Sequence, residues 1–238
     1  MISEHQLETK IGELLDDFYS RRIAKISTLK LRDALRRKNP YLFRAIGVHR
    51  ASEIVEKILL AYMSSSDEGI FGDAFFEPLA KFISEGEVAP SPGVDVAVHT
   101  ELSYKAIAVK SGPSVFNAQS KKRQEAEFKA LENRLRKLHL HFDPIVGYCY
   151  GNKKQSQRNN PSFRELAGQA FWEELTGDSD FYIKIIITMQ EKPLEHAATY
   201  QKAFAAAINR FTKEFIDEFC APDGSIDWVK LVKFNSGS

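Results

Sequence analysis

The chain has 238 residues, of which 43% are hydrophobic and 27% are charged, and its formal net charge is +1. This length fits one large domain, or one domain with a smaller appendage, and the composition excludes a disordered chain. No run of residues is apolar enough to span a bilayer, and the N-terminal residues are polar, so a membrane partner is not expected.

The first third of the sequence predicts helices. Apolar residues recur at helical spacing over residues 2–37, and Asn39-Pro40 ends that pattern. Further helices are predicted over residues 51–63 and 71–83, with residues that favour helix caps at 64–68. We therefore expect a helical N-terminal region over residues 1–65.

Strand and helix patterns alternate after this region. A loop rich in Pro and Gly at residues 89–93 precedes alternating valines at 94–98, and a second strand is predicted at 104–110. The later predictions are helices at 118–138, 163–175 and 194–219, strands at 142–150 and 181–189, a polar loop at 151–161 and an edge strand at 227–234. This order predicts an α/β domain over residues 66–238, with a mixed central sheet flanked by helices.

Opposite charges occupy separate segments of the chain. Asp33 is the one acid in a basic stretch at residues 21–50, basic residues dominate again from 105 to 158, and residues 67–101 are acidic apart from Lys81. This order suits a metal site inside a phosphate-binding cleft, although solvated helix faces would explain either basic stretch alone. Cys149 and Cys220 lack the spacing of a disulfide framework or a zinc site, and a reducing cytoplasm is expected.

Asp95 and Lys110 are the candidates for phosphodiester chemistry. Asp95 interrupts a valine strand, where an acid is rare unless it is paired or binds a metal. Period-two alternation places Asp95 on the face opposite the valines, and Lys110 shares a face with Ala106 and Ala108 on the next strand. Close pairing would bring both onto one surface, where a carboxylate holds Mg²⁺ and a lysine assists an attacking water. On spacing alone, a buried ion pair or a solvated lysine at a strand end explains the pattern equally well.

The arrangement resembles the PD-(D/E)xK nuclease superfamily, in which an acid on one strand and an acid-x-Lys motif on the next hold the metal. Here the tripeptide is Ala108-Val109-Lys110, so alanine stands where that superfamily has its second acid. Some restriction enzymes of the superfamily take a replacement acid from the following helix. Helical geometry favours Glu127 over Glu125, because Glu127 flanks the apolar stripe, whereas Gln124 is better placed but carries no charge.

Further landmarks resemble a group of Type II restriction endonucleases whose catalytic strand runs into Lys-Ser-Gly-Pro. In chain order they are Asn39-Pro40-Tyr41-Leu42-Phe43, Phe71-Gly72-Asp73-Ala74-Phe75-Phe76-Glu77, Val109-Lys110-Ser111-Gly112-Pro113 with Asn117, Tyr148 to Gly151, and Phe171-Trp172 with Thr176-Gly177. The resemblance implies a restriction-endonuclease-like fold, cleavage of double-stranded DNA, a divalent metal and a homodimer. It implies a metal site at Asp95, Glu77 and Val109, in which a helix ahead of the first catalytic strand supplies Glu77. Alternatively, Glu77 pairs with Lys81 at i,i+4.

Basic and amide side chains near the predicted catalytic strand are the candidates for DNA contact. Lysine and arginine neutralise phosphates, whereas amide and guanidinium groups read base edges. The polar loop contributes Lys153, Lys154, Gln155, Gln157, Arg158, Asn159 and Asn160. The strand end and the start of the next helix contribute Ser111, Asn117, Gln119, Lys121, Lys122, Arg123 and Gln124. Residues 36–38 are basic and are candidates for clamping flanking DNA, with a solvated helix end as the alternative.

The sequence thus predicts a Mg²⁺-dependent Type II restriction endonuclease. In this hypothesis Asp95 binds the metal, Lys110 assists the attacking water, and Glu77 and Glu127 supply a further carboxylate or water contact. A cognate DNA methyltransferase encoded nearby would protect the host DNA. The alternatives are a repair or branched-DNA nuclease of the same superfamily, and a catalytically inactive DNA-binding protein, which Ala108 suggests.

Overall fold

The computed structural model describes residues 2–85, 87–113, 118–152 and 162–237. The first elements are α1 (Glu4–Thr28), α2 (Leu31–Leu35), α3 (Pro40–Ala45), α4 (Ala51–Phe71), a π-helical turn (Gly72–Phe76), α5 (Glu77–Ser84), β1 (Glu87–Ser91), β2 (Val94–His99) and β3 (Ser103–Lys110). They are followed by α6 (Ala118–Leu135), a 3₁₀ turn (Arg136–Leu138), β4 (His141–Tyr148), β5 (Arg164–Ala167), α7 (Gln169–Thr176), α8 (Phe181–Met189), α9 (Lys192–Phe219) and α10 (Trp228–Ser236). No helix within the described ranges combines the length and the hydropathy that crossing a membrane requires.

The strands form one sheet in the order β1-β2-β3-β4-β5. The pairs β1/β2 and β2/β3 are antiparallel, whereas β3/β4 and β4/β5 are parallel. Parallel neighbours need a crossover connection, and α6 lies in the chain between β3 and β4. The predicted α/β class, with a mixed sheet and flanking helices, is confirmed.

Alternation along the strands divides their side chains between two apolar cores. Val96 and Ile107 belong to the core that also holds buried residues of α1, α5, α7 and α8. Ala108 and Val146 belong to the other core, where Phe128 of α6 packs. Helices therefore cover both faces of the sheet, and polar groups between them are half-buried.

The chain groups into two compact units, each built from two separate stretches. Unit 1, Met1–Asp17 with Phe71–Lys192, contains the sheet. Unit 2, Phe18–Ile70 with Pro193–Ser238, packs helices around its own apolar core. The sequence predicted one division, between residues 65 and 66. Both units are instead discontinuous in the chain, and α1 is divided between them after Asp17.

Three elements differ in type from the sequence-based prediction. The strand predicted at residues 181–189 is helix α8, which buries Phe181 and Ile185 four positions apart. The helix predicted at residues 163–175 is strand β5 followed by α7, because Gly168 breaks the chain direction at φ +55°. The edge strand predicted at residues 227–234 is helix α10, whose first turn is capped by Asp227 through the backbone N–H of Lys230. The three predictions were wrong because short apolar runs do not by themselves distinguish a strand from a buried helix face.

Smaller differences concern where elements begin and end. The helical region predicted at residues 2–37 divides into α1 and α2, and the helix predicted at 51–63 continues through the expected caps to Phe71. Part of the loop predicted at residues 89–93 is strand β1, and only Pro92 and Gly93 form a turn. That turn leads directly into the strand that carries Asp95.

Candidate active site

Asp95 and Lys110 lie together on neighbouring antiparallel strands. Val96 of β2 pairs with Ile107 of β3, which brings the start of β2 beside the end of β3. The Nζ of Lys110 is 3.7 Å from Oδ2 of Asp95, and both side chains are half-buried. The backbone N–H of Val109 donates to the same carboxylate oxygen at 2.7 Å. The carboxylate is therefore held in one direction by a backbone donor, with an ammonium group beside it.

Burial raises the pKa of Asp95 above its ordinary value of 3.8. The positive charge of Lys110 and the hydrogen bond from Val109 act in the opposite direction, and the negative charge of Glu77 adds to the rise. A carboxylate in this position is poorly solvated, and it gains from any cation that approaches it.

Glu77 is the first residue of α5 and directly follows the π-helical turn. Its carboxylate is 2.6 Å from Nζ of Lys81, which is the i,i+4 pair considered as an alternative for it. The charge of Glu77 also acts on Asp95. Glu77 therefore pairs with Lys81 and influences the Asp95 carboxylate at the same time. Gly72 allows the π-helical turn to lie against Ser111, the residue immediately after β3. A Cβ at position 72 would overlap Oγ of Ser111.

The buried thiol of Cys149 lies close enough to Asp95, Lys110 and Glu77 for their charges to act on it. Cys149 follows β4 and is nearly inaccessible, and burial raises its pKa well above 9.0, so the thiol is neutral. The charges of Glu77, Lys110 and Asp95 all act on it. The sequence did not single out Cys149, because its position depends on the pairing of β4 with β3.

Helix α6 covers the turn that leads into β2. The amide Nε2 of Gln124 donates to the carbonyl oxygen of Gly93 at 2.6 Å, and Gln124 is only 4% exposed. Its side chain, predicted to contact DNA, is thus engaged inside the protein. The carboxylate of Glu127 lies over Gly93 and pairs with Nε of Arg123 at 2.8 Å. Glu127 therefore lies beside the turn that precedes Asp95, and it is paired with a cation.

A second polar group lies on β4 and β5. The hydroxyl of Tyr148 donates to Glu165 at 3.1 Å, and Lys121 at the start of α6 forms an ion pair with the same carboxylate. Burial raises the pKa of Tyr148 to about 12, so the hydroxyl stays protonated and remains a donor. Tyr148 is the register partner of Lys110. Glu165 was missed in the sequence because its segment was interpreted as helix.

The other predicted DNA-contacting residues divide into two sets. Gln119, Lys122 and Arg123 are on the first turns of α6, and all three are exposed. Asn117 and the loop residues Lys153, Lys154, Gln155, Gln157, Arg158, Asn159 and Asn160 lie outside the described residues.

The donor set fits a hard cation that keeps several of its own waters. Among the described residues, no group of three or more His, Cys, Asp or Glu side chains is arranged to hold a metal ion. Asp95 and Glu77 supply carboxylate oxygens, which Mg²⁺ prefers. The side chain of Val109 is buried and apolar, so only its carbonyl oxygen is available as a ligand.

A family model described as Type II restriction endonuclease EcoO109I matches residues 5–197. The matched range includes every strand of the sheet and all of the residues discussed above for the site. No individually curated protein matches the chain.

Proposed function

Because the chain belongs to the Type II restriction endonuclease EcoO109I family, we propose that it cleaves double-stranded DNA at a specific sequence in a Mg²⁺-dependent reaction centred on Asp95 and Lys110. One observation carries the proposal: the carboxylate and the ammonium group lie 3.7 Å apart on adjacent strands within the matched range. Asp95 also accepts a backbone hydrogen bond that fixes its orientation.

The arrangement supports assignment to the PD-(D/E)xK superfamily with one substitution. Asp95 on β2 and Lys110 at the end of β3 occupy the positions of the first acid and the lysine. Ala108 stands in place of the second acid and is fully buried, so the missing carboxylate has to come from another element. Glu77 and Glu127 each have an i,i+4 cationic partner, and Glu77 is the stronger candidate because its charge acts on Asp95.

The residues of the chain then have separate tasks. Asp95 and Glu77, with the carbonyl of Val109, would hold Mg²⁺. When bound, the ion polarises the scissile phosphate and lowers the pKa of the attacking water. Lys110 orients that water and offsets the negative charge that develops on the phosphate. The N–H of Val109 keeps Oδ2 of Asp95 directed at the site rather than at solvent.

Three further features complete the proposal. A homodimer with two-fold symmetry would present one site to each DNA strand, as cutting of both strands requires. A methyltransferase encoded nearby would protect the host genome, and a cytoplasmic location would bring the enzyme to incoming DNA. The basic start of α6, with Lys121, Lys122 and Arg123, would contact phosphates next to the cut.

Digestion of several plasmids of known sequence tests the proposal. With Mg²⁺ we expect discrete fragments that share one sequence at their ends, no cleavage in EDTA, and protection after methylation by the neighbouring methyltransferase. Cleavage confined to branched or damaged DNA would instead indicate a repair nuclease. Binding of duplex without nicking in Mg²⁺ or Mn²⁺ would indicate an inactive DNA-binding protein, the alternative that Ala108 favours.

A further inference from the structure

Unit 2 carries a basic pocket of about 430 Å³ that is made entirely by its own helices. Its cationic walls are Lys25 near the end of α1, Lys30 in the α1–α2 connection, and Arg36 and Arg37 after α2. Asp33 is the only acid among the lining residues. The pocket therefore concentrates positive charge around a concavity.

The local fold explains why these side chains point outward together. Leu29, Leu31 and Leu35 are buried in the core of unit 2. Lys30 lies between two of these leucines, and Arg36 and Arg37 follow the third, so the basic residues remain exposed. Buried leucines thus hold the turn from α1 into α2 in place, and the lysine and arginines next to them are exposed.

The charges of these cations are not neutralised by ion pairs among the described residues. Within the described residues, Arg22 pairs with Asp67 and Arg32 with Glu218, but none of the four pocket cations has an ion-pair partner. Lys25 lies over the ring of Tyr62 and Arg36 over that of Phe234, both at 5.8 Å. Aromatic faces position these two charges without neutralising them, which leaves the charge available to an anion.

We propose that this pocket binds the phosphodiester backbone of double-stranded DNA, independently of base sequence. The inference rests on the proposed function for the identity of the polyanion. Unpaired lysines and arginines around a concavity attract phosphates and release counterions, a contribution to affinity that does not depend on base sequence. The site contributes affinity, and it is separate from the Asp95 and Lys110 site of unit 1.

A salt titration of DNA binding tests this inference. Lys30→Gln/Arg37→Gln removes two exposed pocket cations, and the double variant Lys202→Gln/Lys213→Gln removes two exposed lysines of α9 that do not line the pocket. Binding of a random-sequence duplex is measured by fluorescence anisotropy in EDTA, so that no cleavage occurs. Circular dichroism establishes that both variants fold.

We expect the pocket variant to lower the slope of log K against log salt by about 1 to 2, since each lost phosphate contact removes about 0.9. Its affinity should fall roughly tenfold at 0.1 M salt, equally for unrelated duplexes. The α9 variant should bind like the unaltered protein. An unchanged slope in the pocket variant would overturn the proposal. If the unaltered protein binds inorganic phosphate at sub-millimolar concentration, the pocket variant does not, and that phosphate leaves the DNA affinity unchanged, the pocket is a small-anion site instead.

Cleavage of plasmid DNA by the same variants separates this inference from the proposed function. If the unaltered protein does not cut DNA but the pocket variant binds DNA more weakly, the proposed nuclease function is wrong and the proposed DNA-binding pocket is supported. Normal cutting with no change of slope would refute only the pocket.

Discussion

Asp95 bears its charge in a place where the folded protein solvates it poorly. Its pKa is raised mainly by burial, and Lys110 and the Val109 amide compensate only in part. Since the folded state binds the proton more tightly than the unfolded state does, ionisation of Asp95 lowers the free energy of unfolding. A cation bound at this carboxylate would therefore stabilise the folded chain.

Asp95→Asn should therefore raise the stability of the metal-free protein at neutral pH. The asparagine keeps an oxygen that accepts from Val109 and removes the poorly solvated charge. The gain should shrink as the pH falls through the raised folded-state pKa of Asp95, and it should vanish below the ordinary value of 3.8, where Asp95 is protonated in both states. Thermal unfolding in EDTA across this pH range measures it, and a variant less stable than the wild type at pH 7 would contradict the burial argument.

The two candidate replacement acids differ in whether their charge acts on Asp95. Glu77→Gln should reduce the cleavage rate at least about 100-fold, the scale of losing one group that stabilises the transition state. Glu127→Gln should have a smaller effect, because the charge of Glu77 acts on Asp95 whereas Glu127 lies over Gly93, two residues before it. Single-turnover rates at saturating Mg²⁺ give the comparison. The reverse order of effects would assign the second carboxylate to α6.

At the scale of elements, the turn between β1 and β2 determines how Asp95 enters the sheet. Gly93 has φ +74°, and a Cβ there would overlap the side chain of Glu127. Gly47 has the same φ with open space around it, so it is a matched control for backbone strain alone.

Gly47→Ala should cost about 1 kcal/mol, the lower end of the range for a left-handed residue other than glycine. Gly93→Ala should cost more and should also reduce cleavage, because relief of the overlap displaces β2 or α6. Denaturant unfolding and cleavage assays on both variants test this. Equal losses of stability with normal cleavage would show that the contact between α6 and Gly93 does not position the site.

An ion-pair network joins strands β3, β4 and β5 to α7. Arg164 contacts both Asp143 and Glu174, and Lys105 is 2.5 Å from Glu174. Burial tends to raise the pKa of Glu174, and the hydrogen bonds from Arg164 and Lys105 outweigh it, so that its pKa is lowered. Because its pKa is lowered in the folded state, the ionised carboxylate stabilises the fold when the pH is above the ordinary pKa of 4.5. This stabilisation is lost as the pH falls through the lowered pKa of the folded state.

Glu174→Gln should thus lower the free energy of unfolding at pH 7 by about 1 to 3 kcal/mol, the range for hydrogen bonds to charged groups. Glu173→Gln, at an exposed neighbour, is the control and should change little. The difference between the two variants should narrow below pH 4.5. A constant difference across the pH range would show that packing, rather than charge, is responsible.

The sequence predicted strands better where alternation was regular than where apolar residues formed an unbroken run. The valines around Asp95 and the segment ending at Lys110 gave β2 and β3 within one residue at each end. Residues 181–189 are apolar apart from Lys184 and Thr188, yet helix α8 leaves Ile186 and Ile187 exposed. The pattern could not reveal this, because tertiary packing selects which part of such a run is buried.

At the scale of the whole molecule, the proximity of Asp95 and Lys110 could be predicted, and the groups around them could not. Asp95 and Lys110 are linked by one antiparallel pairing between strands that are close in sequence. Glu165, Tyr148 and Cys149 join the same region only through the parallel pairing of β3, β4 and β5, which no local pattern encodes. The discontinuous units likewise depend on long-range packing.

Single-turnover cleavage by Asp95→Asn and Lys110→Met, each compared with Lys202→Met as a matched surface control, is the most direct test of the proposed site. We predict that both site variants fold, bind duplex DNA in EDTA, and cleave at least about 100-fold more slowly in Mg²⁺, while the control cleaves normally. Cleavage at the unaltered rate by either site variant would contradict the assignment of catalysis to this pair.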